Sequence, residues 1–216
     1  MEILDFILHI DDQLRQLVAD YGTLTYIILF LIIFIETGLV VWPFLPGDSL
    51  LFAAGALAAS GSLNLYTLLI LLFVAAVLGD TVNYTIGNKL GLKLLSKKIK
   101  GKPIVKPAYI DKTKEFFEKH GPKTIILARF VPIVRTFAPF VAGIGTMHYR
   151  TFISYNIVGG FVWVVTLTLA GYWFGTIPFV AQNFELVVLG IIGISLIPMI
   201  VEILRQYFAN KKEVKS

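Results

Sequence analysis

Residues 23–48 read TLTYIILFLIIFIETGLVVWPFLPGD, and this stretch decides the fold. Residues 23–41 form an apolar run long enough for a helix to cross the roughly 30 Å hydrocarbon core of a bilayer, with one acid, Glu36, inside it. Pro43, Pro46 and Gly47 then follow closely, and they stop the helix because proline lacks the N–H that the helix needs. The stretch therefore predicts a spanning helix that leads directly into a broken segment.

The apolar run after this break is too short to cross a membrane. It covers residues 49–60, whereas a spanning helix needs about 20 residues. Irregular backbone at membrane depth is tolerated where protein or a water-filled cavity covers it. We therefore expect residues 42–60 to form a re-entrant helical hairpin that enters and leaves the membrane on the same side.

The composition supports a membrane protein along the whole chain. Of 216 residues, 56% are hydrophobic and 15% are charged, with a mean hydropathy of +0.78. Soluble domains carry about 25% charged residues. The chain has no cysteine, which excludes disulfides and cysteine nucleophiles, and its three histidines are too scattered to predict a metal site.

The charges are distributed unevenly, and their distribution predicts the orientation. Eleven lysines and three acids lie in residues 88–123, and a further basic segment, 209–216, ends the chain. Because basic loops stay in the cytoplasm, we expect the loop 88–123 and both termini to be cytoplasmic. Membrane topology alone explains these lysines, so no nucleic-acid partner is expected.

The first twenty residues have apolar side chains at helical spacing and an acidic polar face. They predict an amphipathic surface helix over 1–20, followed by a transmembrane domain over 21–208. Residues 1–20 lack both a basic start and a small-residue cleavage site, so we do not expect a signal peptide.

A second broken segment lies later in the chain. Residues 124–147 contain short apolar limbs, embedded charge and the prolines Pro132 and Pro139, which are expected to break the helix as in 42–60. The remaining apolar runs predict spans over 63–87, 151–177 and 184–204, and Pro107 to Gly121 predict a capped helix at the membrane surface.

Counting the crossings places the two hairpins on opposite sides of the membrane, the first external and the second cytoplasmic. The expected fold is an all-α polytopic membrane protein: an inverted repeat with two opposed re-entrant hairpins, about four spanning helices and an N-terminal amphipathic helix. Inverted repeats with broken helices that meet near the midplane are typical of secondary transporters.

Two acids lie in segments that are otherwise apolar, and each has two interpretations. Glu36 is either a structural partner for an arginine or a group that takes up and releases a proton. Asp48 follows Gly47, so it is either only a cap for the helix that begins at Ser49 or a second proton-coupling carboxylate beside Glu36.

Two arginines lie in the second broken segment. Arg129 and Arg135 would face opposite sides of a regular helix, but Pro132 lies between them and permits them to converge. Their planar forks suit a phosphate. The alternative is that both pair with Glu36 and Asp48 in a neutral structural cluster. Asp80 and Asn83 lie near the predicted cytoplasmic boundary and are second-tier candidates.

Four segments resemble the DedA family, also called the SNARE-associated or VTT-domain family. They are Phe34–Gly38 (FIETG), Pro43–Leu51 (PFLPGDSLL), Gly79–Tyr84 (GDTVNY) and Ala128–Thr136 (ARFVPIVRT). The resemblance covers about residues 20–205. It implies a bacterial inner-membrane protein that moves lipids between leaflets, with undecaprenyl phosphate and phosphatidylethanolamine as candidate substrates and with dependence on the proton-motive force.

By position, the resemblance implies that Glu36 and Asp48 are the acidic pair and that Arg129 and Arg135 are the essential arginines. The expected partners are phosphate-bearing membrane lipids and protons, with a homo-oligomer left open, and no metal or other cofactor is expected. Two alternatives remain. One is a proton-dependent ion or solute transporter in which the four charges form a structural network. The other is a membrane-embedded enzyme that acts on phospholipids. Under the leading hypothesis, by contrast, the protein is a transporter and not an enzyme.

Overall fold

The computed structural model describes residues 10–39, 47–96, 98–99, 102–103, 107–145 and 147–182, and these are almost entirely helical. The α-helices are α1 (Ile10–Gly38), α2 (Gly47–Ala59), α3 (Leu65–Ser96), α4 (Pro107–His120), α5 (Thr124–Leu127), α6 (Pro132–Ile144), α7 (Tyr149–Gly175) and α8 (Pro178–Gln182). Single 3-10 turns cover Gly121–Lys123 and Ala128–Phe130, and the two-residue strands β1 (Lys98–Ile99) and β2 (Lys102–Pro103) pair antiparallel. The helical fold class is thus confirmed apart from this strand pair.

Two helices of the described residues are long and apolar enough to cross a membrane. They are Leu65–Gly91 within α3 and Tyr149–Gly175, which is α7. They correspond to the spans predicted over 63–87 and 151–177. Helix α3 continues beyond the predicted span to Ser96, because Leu94 and Leu95 pack against the apolar cluster between α4 and α6.

The N-terminal boundary also differs from the prediction. Helix α1 runs from Ile10 to Gly38 without a break, so residues 10–20 continue directly into the apolar part, Gly22–Gly38. Residues 1–9 of the predicted surface helix lie outside the described residues. The span predicted over 184–204 and the basic tail 209–216 lie outside them as well.

Helices α1, α3 and α7 expose large apolar side chains on their outer faces. On α1 these are Leu24, Ile27, Ile28, Leu31 and Ile35, which recur at helical spacing. On the other two helices they include Tyr66, Ile70, Val74, Leu78, Ile157, Val158, Phe161 and Trp173. A soluble protein rarely exposes so much contiguous apolar surface, whereas a lipid-facing surface requires it.

Glycines bring the helices into close backbone contact in two reciprocal pairs. A Cβ at Gly55 of α2 would overlap the carbonyl of Thr168 in α7, and one at Gly171 of α7 would overlap the carbonyl of Phe52 in α2. Gly143 of α6 and Gly87 of α3 have the same relation, each packing on the other helix's backbone. Helix α2 therefore packs on α7 in the way that α6 packs on α3.

The second broken segment contains one clear interruption. After α5 and the 3-10 turn, Val131 is extended (φ −119°, ψ 104°), and α6 begins at Pro132. The expectation that Pro139 also breaks the helix was wrong, because Pro139 lies inside α6. The ring removes one N–H, and close packing on α3 holds the helix together around it.

The first broken segment is described in part. Pro43 and Pro46 lie outside the described residues, and Gly47 begins α2. Helix α2 has the short apolar length predicted for one limb of a hairpin, and a turn at residues 60–64 leads into α3. Whether either segment is re-entrant in the membrane stays a prediction.

Candidate functional site

Arg135 joins the two acids that were singled out in the sequence. It lies in the first turn of α6, where Nη2 contacts Oε1 of Glu36 and Nη1 donates to Oδ1 of Asp48 at 2.6 Å. The two acids come from α1 and α2, so one guanidinium connects three helices. Glu36, Asp48 and Arg135 are called the open cluster below.

Burial differs sharply across the open cluster. The Glu36 side chain is 4% exposed and that of Arg135 is 12% exposed, whereas the Asp48 side chain is 53% exposed. A charged group inside an apolar segment costs several kcal/mol if it is unpaired, so Glu36 and Arg135 need each other. The loss of its ion-pair partner costs Asp48 much less free energy, because water can solvate its exposed carboxylate. Asp48 is therefore the accessible residue of the open cluster.

Gly47 explains why the start of α2 can approach Glu36. Its backbone N–H donates to Oε1 of Glu36 at 3.3 Å, and a Cβ at position 47 would overlap the Glu36 carboxylate. The N-terminus of α2 thus places an amide donor on the acid. A residue predicted only to break the helix therefore also contacts the candidate site.

Arg129 forms a second, more enclosed arrangement. Its Nη2 donates to Oδ2 of Asp80 at 2.5 Å and to Oδ1 of Asn156 at 2.6 Å. The side chains of Arg129 and Asp80 are only 2% and 7% exposed. The backbone at Gly159 leaves room for the guanidinium, because a Cβ there would lie 3.1 Å from Nε of Arg129. Arg129, Asp80 and Asn156 are called the closed cluster below.

The closed cluster corrects two expectations. Asp80 was expected near a hydrated boundary, but it is buried and pairs with Arg129, since an arginine inside apolar helices requires a counter-ion. The alternative in which both arginines pair with Glu36 and Asp48 is also wrong, because Arg129 pairs with Asp80. The two arginines face three carboxylates, because Glu36 and Asp48 both contact Arg135.

Asp48 does more than cap a helix. Helix α2 begins at Gly47, so Asp48 lies in its first turn, and its carboxylate oxygen Oδ1 accepts hydrogen bonds from Arg135 and from Nε1 of Trp163, the latter at 2.8 Å. The interpretation of Asp48 as a cap alone is therefore wrong.

Trp163 of α7 lies between the two clusters. The guanidinium carbon of Arg135 is 5.1 Å from the centroid of its ring system, and that of Arg129 is 5.5 Å from it. Both distances suit attraction between a cation and an aromatic ring. The break at Val131 and Pro132 lets both arginines reach this ring, whereas their convergence on one ligand stays a prediction.

Asn83 aligns the helices that carry the open cluster. It is fully buried, and its Nδ2 donates to the carbonyl of Thr37 at 3.0 Å and to that of Thr136 at 2.9 Å. These residues directly follow Glu36 and Arg135. Asn83 therefore fixes the backbone beside both members of the buried ion pair.

Two members of this site were missed in the sequence, Asn156 and Trp163. A signal was available for Asn156, because an amide in an otherwise apolar span needs a buried partner, as a carboxylate does. Asn156 donates to the carbonyl of Val77 at 3.1 Å in addition to accepting from Arg129. Trp163 gave no comparable signal, since tryptophan is common in membrane helices.

A separate cavity lies between α4 and the start of α7. Its volume is about 690 Å³, and its lining includes Lys114, Phe117, Glu118, Met147 and His148. None of the residues of the two clusters lines it. Among the described residues, no three His, Cys, Asp or Glu side chains are grouped as metal ligands.

The chain is similar to known proteins over most of its length. The VTT domain family matches residues 45–173, which include Asp48, Asp80, both arginines and Trp163. Protein DedA of Escherichia coli K12 is 56% identical over 215 residues, covering 99% of this chain and 97% of that protein. An uncharacterized membrane protein of Mycobacterium leprae is 44% identical, covering 86% and 82%. Inner membrane protein YqjA of Escherichia coli K12 is 38% identical, covering 71% and 69%. No solved structure matches this chain.

Proposed function

Since the chain belongs to the DedA family of VTT-domain membrane proteins, we propose that it moves a phosphate-bearing lipid between the leaflets of a bacterial inner membrane, coupled to protons. Undecaprenyl phosphate and phosphatidylethanolamine are the candidate lipids. Arg135 binds the lipid phosphate in this proposal, Arg129 assists it, and Glu36 and Asp48 take up the protons.

The open cluster is the observation that carries the proposal. Arg135 is nearly buried and must always have an anionic partner, yet Asp48, one of its two partners, is half exposed. A phosphate that reaches the exposed side can replace the Asp48 carboxylate with oxygen atoms that accept the same N–H groups. The exchange keeps the arginine paired throughout.

Proton coupling follows from the same exchange. When Asp48 is ionised, it competes with the phosphate for Arg135. When Asp48 takes up a proton, it loses its charge, and the guanidinium is left with only Glu36 as an anionic partner. Phosphate binding and protonation therefore favour each other, which is the linkage that a proton-coupled transporter needs.

The arrangement of the helices supports transport rather than a fixed anchor. Helix α2 packs on α7, and α6 packs on α3, so each short helix contacts the long helix that follows the other broken segment. Such a reciprocal arrangement is expected of an inverted repeat, in which one half moves against the other around a central site.

The proposed location is the bacterial cytoplasmic membrane, with several crossings and with both termini in the cytoplasm. A relative 38% identical to the chain is named an inner membrane protein. The lysine-rich connection between α3 and α4 supports the orientation, because positive loops are retained in the cytoplasm.

The closed cluster favours a second candidate function, the proton-dependent transport of an ion or small solute. Arg129 is almost completely buried and already has Asp80 and Asn156 as partners, which suits a structural network or a proton relay. Under this alternative, lipids would not move in vesicles that contain the purified protein.

The experiment measures lipid movement in reconstituted vesicles. A labelled undecaprenyl phosphate analogue, labelled phosphatidylethanolamine and labelled phosphatidylcholine are each placed in one leaflet. Their arrival in the other is followed with a membrane-impermeant reagent. We expect the undecaprenyl phosphate analogue or phosphatidylethanolamine to move faster in vesicles that contain the protein than in protein-free vesicles. Equal rates for all lipids with and without protein would reject the proposal. Release of free phosphate would indicate the enzyme alternative.

A further inference from the structure

Trp163 is the residue through which the open and closed clusters meet. It is fully buried in α7, and its indole N–H donates to the same Asp48 oxygen that accepts from Arg135. Its ring lies within 5.5 Å of both guanidinium carbons. One side chain therefore contacts the accessible acid and both arginines.

The position of the ring depends on Asp48. The indole has one donor and no other polar atom, and a buried donor that loses its acceptor costs about 1–3 kcal/mol. When a phosphate replaces Asp48 at Arg135, the carboxylate moves and the N–H must follow it or find the phosphate. When the N–H follows the carboxylate, the ring changes its position relative to Arg129.

The closed cluster cannot absorb that change freely. Asp80 and Asn156 hold Nη2 of Arg129, and the side chain passes so close to Gly159 that a Cβ there would lie 3.1 Å from Nε. Close-packed groups of this kind shift between discrete arrangements and do not deform continuously. Movement of the ring is therefore transmitted to the Arg129–Asp80 pair.

We propose that Trp163 is a positioning residue that couples the two clusters, so that phosphate binding at Arg135 alters the Arg129–Asp80 pair. The inference rests on the proposed phosphate binding and adds a coupling between the halves of the chain. Coupling is reciprocal, so a change at Asp80 must also change the affinity at Arg135, provided that Trp163 is present.

A double-mutant cycle tests this reciprocity. The dissociation constant of dihexanoyl phosphatidic acid, and separately of inorganic phosphate, is measured by calorimetry on the full chain in nanodiscs. Four proteins are compared: wild type, Asp80→Asn, Trp163→Phe and the double variant. We expect Asp80→Asn to change the dissociation constant at least about threefold in the wild-type background and less than about 1.5-fold in the Trp163→Phe background. Trp173→Phe, on the exposed side of the same helix, is the matched control and should leave the effect of Asp80→Asn unchanged.

Each outcome decides the inference. An equal effect of Asp80→Asn with and without Trp163, or no effect in the wild-type background, overturns the coupling while phosphate binding stands. No binding of either probe to the wild type overturns the coupling and the proposed function together. Coupling with inorganic phosphate alone would support the inference and identify free phosphate, not a lipid headgroup, as the ligand.

A fluorescence measurement keeps the test independent of the folding of Trp163→Phe. The chain has three tryptophans, so Trp42→Phe and Trp173→Phe together leave Trp163 as the sole indole. We expect its emission to change saturably with phosphatidic acid and to differ when Asp80→Asn is added. Emission that does not respond to phosphatidic acid, or that responds identically with and without Asp80→Asn, overturns the inference.

Discussion

At the scale of single residues, the proposed function depends on the shape of an arginine. Arg135 uses Nη2 for Glu36 and Nη1 for Asp48, so two separate nitrogen atoms hold acids from two helices. A lysine has the same charge but a single nitrogen on a flexible stem. It can keep one acid paired, yet it cannot present two parallel N–H groups to a phosphate.

The first prediction follows from this difference. Arg135→Lys should lower the rate of lipid movement by at least about tenfold, the order of one lost charge-assisted hydrogen bond, while the protein still folds. The rate is measured in vesicles and folding by thermal unfolding in detergent. Arg150→Lys, at an exposed position on α7, is the matched control and should move lipid normally. Normal transport by Arg135→Lys would exclude the bidentate role.

The second prediction contrasts the two acids that contact arginines. Asp80→Ala leaves the buried Arg129 without its counter-ion and should lower the free energy of unfolding by about 3–5 kcal/mol. Asp48→Ala should cost less, about 1–3 kcal/mol, because Arg135 keeps Glu36 and only the buried Trp163 N–H loses its acceptor. Both are measured by denaturant unfolding in detergent. Equal destabilisation by the two variants would contradict the division into open and closed clusters.

The sequence identifies the charged residues whose burial in lipid costs free energy, but it does not identify all of their partners. Glu36, Asp48 and the two arginines were predictable because charge inside an apolar run demands an explanation. The pairing of Arg129 with Asp80 was not, since it depends on how α3, α5 and α7 meet. The position of Trp163 is likewise a result of tertiary packing.

At the scale of helices, close backbone contact replaces the hydrophobic effect as the source of stability. Lipid tails are as apolar as leucine, so helices gain by van der Waals contact, which small residues permit. Gly55 and Gly171 allow this contact between α2 and α7, and Gly87 and Gly143 allow it between α3 and α6.

The third prediction tests these contacts. Gly55→Ala and Gly143→Ala should each destabilise the protein, because the new methyl group would overlap backbone of the facing helix. Gly22→Ala is the matched control: a Cβ there meets nothing within 4 Å, and alanine favours a helix over glycine by up to about 1 kcal/mol. Thermal unfolding midpoints in detergent measure all three. A Gly55→Ala midpoint equal to that of Gly22→Ala would contradict the proposed packing.

Helix boundaries were less predictable than helix positions. Pro132 begins α6, where its missing N–H costs nothing, whereas Pro139 is accommodated inside the same helix. Sequence alone does not separate the two cases, because the packing of α6 against α3 decides the second. The continuation of α3 to Ser96 has the same origin, since packing on α4 and α6 stabilises its last turns.

At the scale of the whole molecule, the proposed orientation is testable because the chain contains no cysteine. Single cysteines can be introduced at Ser60, in the exposed turn after α2, and at Lys112, on the exposed face of α4. We expect a membrane-impermeant maleimide to label Ser60→Cys from outside intact cells and Lys112→Cys only after the cells are opened. Labelling of both from the same side would reject the inverted arrangement.

The central claim is that a lipid phosphate replaces the Asp48 carboxylate at Arg135 when Asp48 takes up a proton. Its most direct test is the movement of labelled undecaprenyl phosphate analogue in vesicles containing the purified protein, measured with and without a pH gradient. The account predicts that the gradient accelerates movement in wild-type vesicles, and that Asp48→Asn, which removes the exposed acid while Glu36 still pairs with Arg135, abolishes the acceleration. Movement by the folded wild type that is no faster than in protein-free vesicles, or that is identical with and without the gradient, would contradict the account.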